Sequence, residues 1–373
     1  MPRPSGILIV LWFVVITGSC VRGADKLPNQ YEAGDIKVAA ARADEPVIDI
    51  SIKKAAEHLD HGTIAWTQQK KCVSCHTNGT YLFIRPSLTP TLGAPLTETR
   101  KFFVDQLAVL SKIGVRKLRR SGTRPAQVIY IAAGLAEWDA HVTKELSPAT
   151  DEALRLAFGL QNKEGTWHSL TCWPPFESSA YQEAHMAAMA VAAAPGWLDA
   201  VREDDELSVK IDLLKKYIGN TDLPHDYARV LQLWTSLRLA GILGPEQKQT
   251  LAKLLSEKQK PDGGWSIRQF ATPEQWGSGN RAGKLREEPE FATKPSDGHM
   301  TGLAILVLQE AGVSNDEDSL RRGLNWLRKH QRKSGRWWTR SLNTSKSHFI
   351  TYSGTAYPLL ALQRASVSRP TVD

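Results

Sequence analysis

Apolar residues recur at intervals of three and four through most of the chain beyond residue 50, the spacing that puts one buried stripe on a helix. This pattern predicts helices over 51–68, 97–117, 125–142, 149–161, 178–193, 205–218, 225–241, 245–258, 297–312, 317–331 and 351–364. No stretch alternates apolar and polar residues convincingly at the period of a strand. Proline and glycine punctuate the gaps, at Pro125, Gly165, Pro174–Pro175, Pro224, Gly244–Pro245, Gly263–Gly264 and Gly335. Residues 77–96 read as loop. Trp276 to Pro295 is polar and lacks helical spacing, and is expected to be either a lid or a disordered insertion. Many helices with short connections imply an all-α bundle or solenoid.

One turn repeats. Gln161–Gly165–Trp167, Gln259–Gly263–Trp265 and Gln331–Gly335–Trp337 share the same spacing, and each closes an amphipathic helix that is followed, after a loop, by a more apolar one. Glycine allows the left-handed turn that ends a helix. The Trp ring can cover the helix end, and the Gln amide can satisfy backbone groups there. The interval between the first two copies leaves room for a degenerate unit around 218–225.

These turns resemble the QW motif of the squalene-hopene cyclase and protein prenyltransferase superfamily. Asp297 to Gln309 and Tyr352 to Leu362 look like inner helices of that fold. The resemblance spans roughly residues 50 to 365 and implies an all-α fold, an α/α toroid of helical-hairpin repeats. It does not carry over either known chemistry. The Asp-x-Asp-Asp acid of squalene-hopene cyclases has no counterpart. Glu203-Asp204-Asp205-Glu206 precedes a helix, where acidic residues favour the positive end of the helix dipole. The zinc ligands of prenyltransferases are also unmatched, because Cys172 sits in a loop rather than in the matching helix, so zinc is not expected.

The N-terminus changes the picture of location. Arg3, an apolar run from Ile7 to Ile16, and small residues up to Val21-Arg22-Gly23 have the layout of a secretory signal peptide. The run is too short to span a bilayer. A membrane anchor or a lipid on Cys20 are the alternatives. The expected organisation is a signal peptide at 1–23, a linker at 24–48, the toroid at 49–365 and a tail at 366–373, with the protein periplasmic or secreted and no transmembrane span after signal removal. The chain of 373 residues holds 47 lysines and arginines against 39 acidic residues. The excess is mild and no nucleic-acid module accompanies it, so nucleic acid is not an expected partner. Local basic runs, such as Lys70-Lys71 and Arg116 to Arg120, read as solvated helix faces or as a surface for an acidic redox partner.

With four cysteines, one of them Cys20 in the signal, a disulfide-stapled scaffold is excluded. Two of the remaining thiols fall in Cys72-Val73-Ser74-Cys75-His76, a C-x-x-C-H sequence read as a c-type haem attachment site. Thiols about one helical turn apart can form two thioethers to one haem, and the following imidazole can ligate its iron. The wording resembles that of many bacterial cytochromes c, and export is consistent because haem c is attached after translocation. A structural disulfide is the rival reading. Zinc would need a second cysteine pair, and a thioredoxin-like dithiol would need a βαβ context. Candidates for a sixth iron ligand are His185, Met186 and Met189 on one predicted helix, His299 and Met300 on another, and His168 after Trp167. The expected function is haem-based electron transfer or redox sensing with a partner protein. The alternative is a toroid that binds or transforms an isoprenoid-like hydrophobic molecule, with the cysteine pair oxidised.

Overall fold

The computed structural model describes residues 29–167, 173–176, 180–220 and 222–367. The proposed signal peptide, His168, Cys172 and residues 368–373 of the tail lie outside them. Twelve principal helices form six pairs among these residues. The outer members are α1 (Ile52–Lys70), α3 (Thr97–Ser111), α5 (Pro148–Leu160), α7 (Asp205–Asn220), α9 (Pro245–Glu257) and α11 (Asp318–His330). Each is followed by an inner partner: α2 (Asn78–Ile84), α4 (Arg124–Trp138), α6 (Ala180–Ala193), α8 (Asp226–Arg238), α10 (Gly298–Glu310) and α12 (Ile350–Val367).

Inner helices touch their neighbours in chain order, and α12 packs on α2, so the ring is closed. The expected α/α toroid is therefore the observed fold. Sequence sorts the two layers. Along α11 only one stripe is buried, with Leu320, Leu324 and Leu327 facing in, while in α10 every residue from Gly298 to Leu308 is buried. A helix apolar all round has no surface to give to water and must be the inner one.

Outer helices touch one another thinly, and the Gln–Gly–Trp turns bridge three of these junctions, α5 to α7, α9 to α11 and α11 to α1. In each turn the glutamine Nε2 donates to the carbonyl of its own glycine and to one in the N-terminal part or cap of the next outer helix. Gln161 reaches Gly165 and Lys210, both at 3.1 Å, and Gln259 reaches Gly263 at 2.8 Å and Ser319 at 2.7 Å. Gln331 reaches Gly335 at 2.8 Å and Ser51 at 2.9 Å. The glycines have φ of 86, 92 and 86°. A Cβ on Gly335 would come within 2.5 Å of the Lys54 backbone, so the turn also needs glycine for close approach. The tryptophan N–H donates back to its own outer helix: Trp167 to Ala157 (2.9 Å), Trp265 to Leu255 and Trp337 to Leu327 (both 2.8 Å). The turn is thus a rivet between outer helices, more than the helix-end cover its sequence suggested.

Three stretches differ from expectation. Residues 24–48, read as linker without strands, contain an antiparallel hairpin, β1 (Asn29–Ala33) and β2 (Ile36–Ala39), joined by Gly34–Asp35. Strands of five and four residues carry too few alternations to stand out, and the anchor is a single buried side chain, Tyr31. Residues 77–96, read as loop, begin with α2 and continue into helical turns over 85–92. All seven residues of α2 are buried, so it has no polar face to set a period. Trp276 to Pro295 is held down by the fully buried Trp276 and carries short helices at 282–286 and 289–293.

At the C-terminal ends of the inner helices, Arg238 pairs with Glu137 at 2.8 Å and Glu310 at 2.7 Å, and Arg364 adds a contact to Glu310 at 2.8 Å. Four inner helices are tied there. The opposite mouth, where outer-to-inner links converge, holds the cavity described next.

Candidate functional site

The C-x-x-C-H motif is the outer-to-inner link of the first pair, the position that Gln–Gly–Trp turns fill elsewhere. Helix α1 ends because Lys71 adopts a left-handed conformation (φ 52°). The motif then runs as an irregular turn rather than as the helical turn its spacing suggested, and α2 begins only at Asn78. Asn78 organises it: the side-chain Oδ1 accepts from Ser74 N–H at 2.8 Å and Nδ2 donates to the Cys72 carbonyl at 3.0 Å. Trp66 Nε1 donates to the same carbonyl at 3.1 Å, and Thr80 Oγ1 donates to the Cys75 carbonyl at 2.7 Å. Gly79 donates to the Ser74 carbonyl at 2.9 Å, and a Cβ there would lie 2.4 Å from that oxygen. Hydrogen bonds thus hold the turn at Cys72, Ser74 and Cys75, as a preorganised site requires.

Cys75 is buried and Cys72 half-buried. His76 is wedged between rings, stacked on Phe349 (4.6 Å, 16°) and edge-on to Trp66 (4.7 Å, 88°). Burial pushes its pKa down to about 4, so the imidazole is neutral at pH 7. Its Nδ1 lies 2.8 Å from Thr77 Oγ1, and Thr77 donates onward to Tyr31 at 3.5 Å. With its proton given to Tyr31, the Thr77 oxygen accepts from Nδ1–H, and the lone pair is left on Nε2. That is the tautomer a metal-ligating histidine adopts when its second nitrogen is held by a partner.

Cys72, Cys75 and His76 line one cavity of about 490 Å³, a size typical of cofactor and ligand sites. Its apolar lining comes from Trp66, Phe349, Ile350, Trp173, Pro174 and Phe176, with Gln127 from the start of α4 and Asn343 from the link before α12. A larger cleft, about 840 Å³, lies on the outer surface between the first Gln–Gly–Trp turn and α7, and among the described residues no thiol or imidazole lines it.

None of the sequence-derived sixth-ligand candidates within the described residues lines the His76 cavity. His185, Met186, Met189, His299 and Met300 are buried in the ring. His299 has both nitrogens engaged, Nε2 with Tyr227 Oη at 3.1 Å and Nδ1 with Ser353 Oγ at 2.8 Å. His185 Nδ1 meets Thr235 Oγ1 at 2.5 Å. Burial holds both imidazoles down to about 3, so they are neutral interior groups. Phe176 connects the two levels, lining the cavity and meeting the His299 ring edge-on at 5.8 Å. The sequence pointed to His299 through its place near the start of an inner helix, and missed Trp66, Phe349 and Ile350, the first of which lies far from the other two in the chain.

Asp297 caps α10 and is buried. Its carboxylate accepts from Ile267 N–H at 2.7 Å and Met300 N–H at 2.9 Å. Burial outweighs these bonds and raises its pKa to about 6.

Residues 245–367 match the family model of the squalene-hopene cyclase C-terminal domain. That segment covers α9 to α12 and the second and third Gln–Gly–Trp turns, and together with the closed ring it defines the architecture as a terpenoid cyclase-like toroid. The C-x-x-C-H link lies outside the matched residues. No curated protein matches the chain. No helix among the described residues is long and apolar enough to cross a membrane.

Proposed function

We propose that the chain is an exported haem c protein built on a cyclase-like toroid, serving electron transfer or redox sensing. Cys72 and Cys75 are the thioether anchors and His76 the axial imidazole. The supporting observation is that these three side chains belong to one hydrogen-bonded turn that lines a single aromatic-walled cavity of about 490 Å³.

The donor chemistry fits. A bound haem supplies one-electron chemistry at iron. The chain's own contribution is to present Nε2 of a neutral His76, held in tautomer by Thr77 and in orientation by Phe349 and Trp66. Phe176, itself buried, adds an apolar side chain to the lining. Thioether anchoring asks two thiols to face the edge of a large ring, not to converge on one ion. Among the described residues no three His, Cys, Asp or Glu side chains group as they would around a single metal ion.

The test is a pyridine haemochrome spectrum of denatured protein made in a periplasm with active cytochrome c maturation. Covalent haem in the wild type, lost in Cys72→Ala/Cys75→Ala, supports the reading; a wild type without covalent haem overturns it.

A second reading has its own observation. The cavity's aromatic walls and the cyclase match at 245–367, which includes Phe349 and Ile350, favour a hydrophobic, isoprenoid-like ligand. In that case the cysteine pair is a disulfide, and organic extraction of purified protein followed by mass spectrometry recovers a stoichiometric lipid.

A further inference from the structure

The polar segment following Trp276 meets the cavity through Asn343, one of its lining residues. Buried Arg268 grips Glu288 through both carboxylate oxygens, at 2.9 and 3.0 Å, and Arg340 adds a contact to the same carboxylate. This fixes the helical turn 282–286, which brings two cations onto one residue of the rim. Arg281 Nε donates to Asn343 Oδ1 at 2.8 Å, and Lys284 Nζ donates to the Asn343 carbonyl at 3.0 Å.

The charges are unbalanced there. Arg268 and Arg340 share Glu288 and Glu290, and Arg286 pairs with Glu274. Arg281 and Lys284 form no ion pair among the described residues. Partial burial and the like charges of Arg281 and Arg340 hold the Lys284 ammonium below the ordinary lysine range, against the pull of Glu288. Each cation also has donors to spare: a guanidinium carries five N–H groups and an ammonium three. Beside them stands an apolar, aromatic-walled cavity. An occupant that suits both has a flat apolar body and carboxylates at one edge.

We infer that Arg281 and Lys284 form a carboxylate-binding site at the cavity rim that holds the acid groups of the tetrapyrrole. The inference rests on the haem reading for the identity of that occupant. Arg281 and Lys284 thereby set the ring's orientation, acid edge toward Asn343 and opposite edge toward the thiols, before any thioether is made.

The test uses the full chain produced without haem attachment, with protoporphyrin IX and its dimethyl ester as probes and tryptophan quenching as the readout. Charge-assisted hydrogen bonds of ordinary strength predict that the free acid binds roughly 10- to 100-fold more tightly than the ester. In Arg281→Gln/Lys284→Gln this preference falls to near unity, while Arg286→Gln, whose ion pair is exposed, keeps it. Circular dichroism verifies that the variants fold. Equal affinity for acid and ester in the wild type, a preference that survives in the double variant, or no porphyrin binding at all overturns the inference. Failure of the haem c reading is a separate result, absence of covalent haem in periplasmic protein, and leaves the acid–ester preference measurable by itself.

Discussion

Gln331 closes the ring. Its Nε2 donates to the Ser51 carbonyl at 2.9 Å, and its Oε1 accepts from Ser51 N–H at 2.6 Å, so one amide joins the last outer helix to the cap of the first. Residues 45–48 reinforce the seam, with Lys333 N–H donating to the Pro46 carbonyl and Ile48 N–H to the Gln331 carbonyl.

Gln331→Ala leaves the Ser51 backbone groups without these partners, which costs about 1–3 kcal/mol. Urea unfolding is expected to show that loss. Limited proteolysis is expected to cut the N-terminal segment faster than in Gln259→Ala, where the equivalent bonds lie inside the chain. Equal proteolysis of the two variants contradicts the seam role.

Trp265 is fully buried and donates to Leu255. Trp265→Ala is expected to cost about 3–5 kcal/mol, and Trp265→Phe clearly less, since the ring volume is largely kept. Thermal and denaturant midpoints test the order.

Gly79→Ala places a methyl against the Ser74 carbonyl and against Tyr130. The turn must shift, so the yield of covalent haem falls several-fold while helical content is retained. An unchanged yield removes the claim that the turn is preorganised for attachment.

Stability should fall as the solution is acidified below neutrality. Burial holds His76, His225 and His348 down to about 4 and His185 and His299 to about 3. An unfolded chain binds those protons near pH 6.5, so between 6.5 and the folded values it carries more protons and gains with acid. Each imidazole then contributes a loss on the order of 2 kcal/mol by pH 5. Asp297 works in the opposite sense: its raised pKa of about 6 makes the folded form the better proton binder between 3.8 and 6. Burial raises Glu290 as well, yet two carboxyls do not offset five imidazoles. Urea midpoints of the haem-free chain should drop between pH 7 and 5, with a shallower slope in His299→Gln. A flat profile contradicts the burial of these groups.

The outer layer was legible in the sequence because its helices are striped, and the Gln–Gly–Trp turns were legible because glutamine, glycine and tryptophan each have a fixed backbone duty. The C-x-x-C-H motif was visible through the chemistry of its side chains, while its spacing suggested a helical turn and the backbone is irregular. The buried α2 was not, since Asn78 to Ile84 shows no polar side from which to count. Nor was the fate of His299: its partners Tyr227 and Ser353 lie 72 and 54 positions away, and nothing local marks that both of its nitrogens are engaged. The aromatic cavity was likewise illegible, because Trp66, Trp173 and Phe349 become neighbours only when the ring closes.

That closure orders events in time. Helix α1 waits for α12 and for the turn at Gln331, which are made last during synthesis, so the N-terminal half of the molecule spends its first moments with an open flank. The thiol pair sits on that flank, and the wall bearing Phe349 arrives only at the end. A chain still emerging therefore offers its cysteines from an open face, and a finished one offers them only through the mouth of a completed chamber. Machinery that modifies Cys72 and Cys75 meets an open face or a chamber mouth according to whether the closing helix of the ring has arrived.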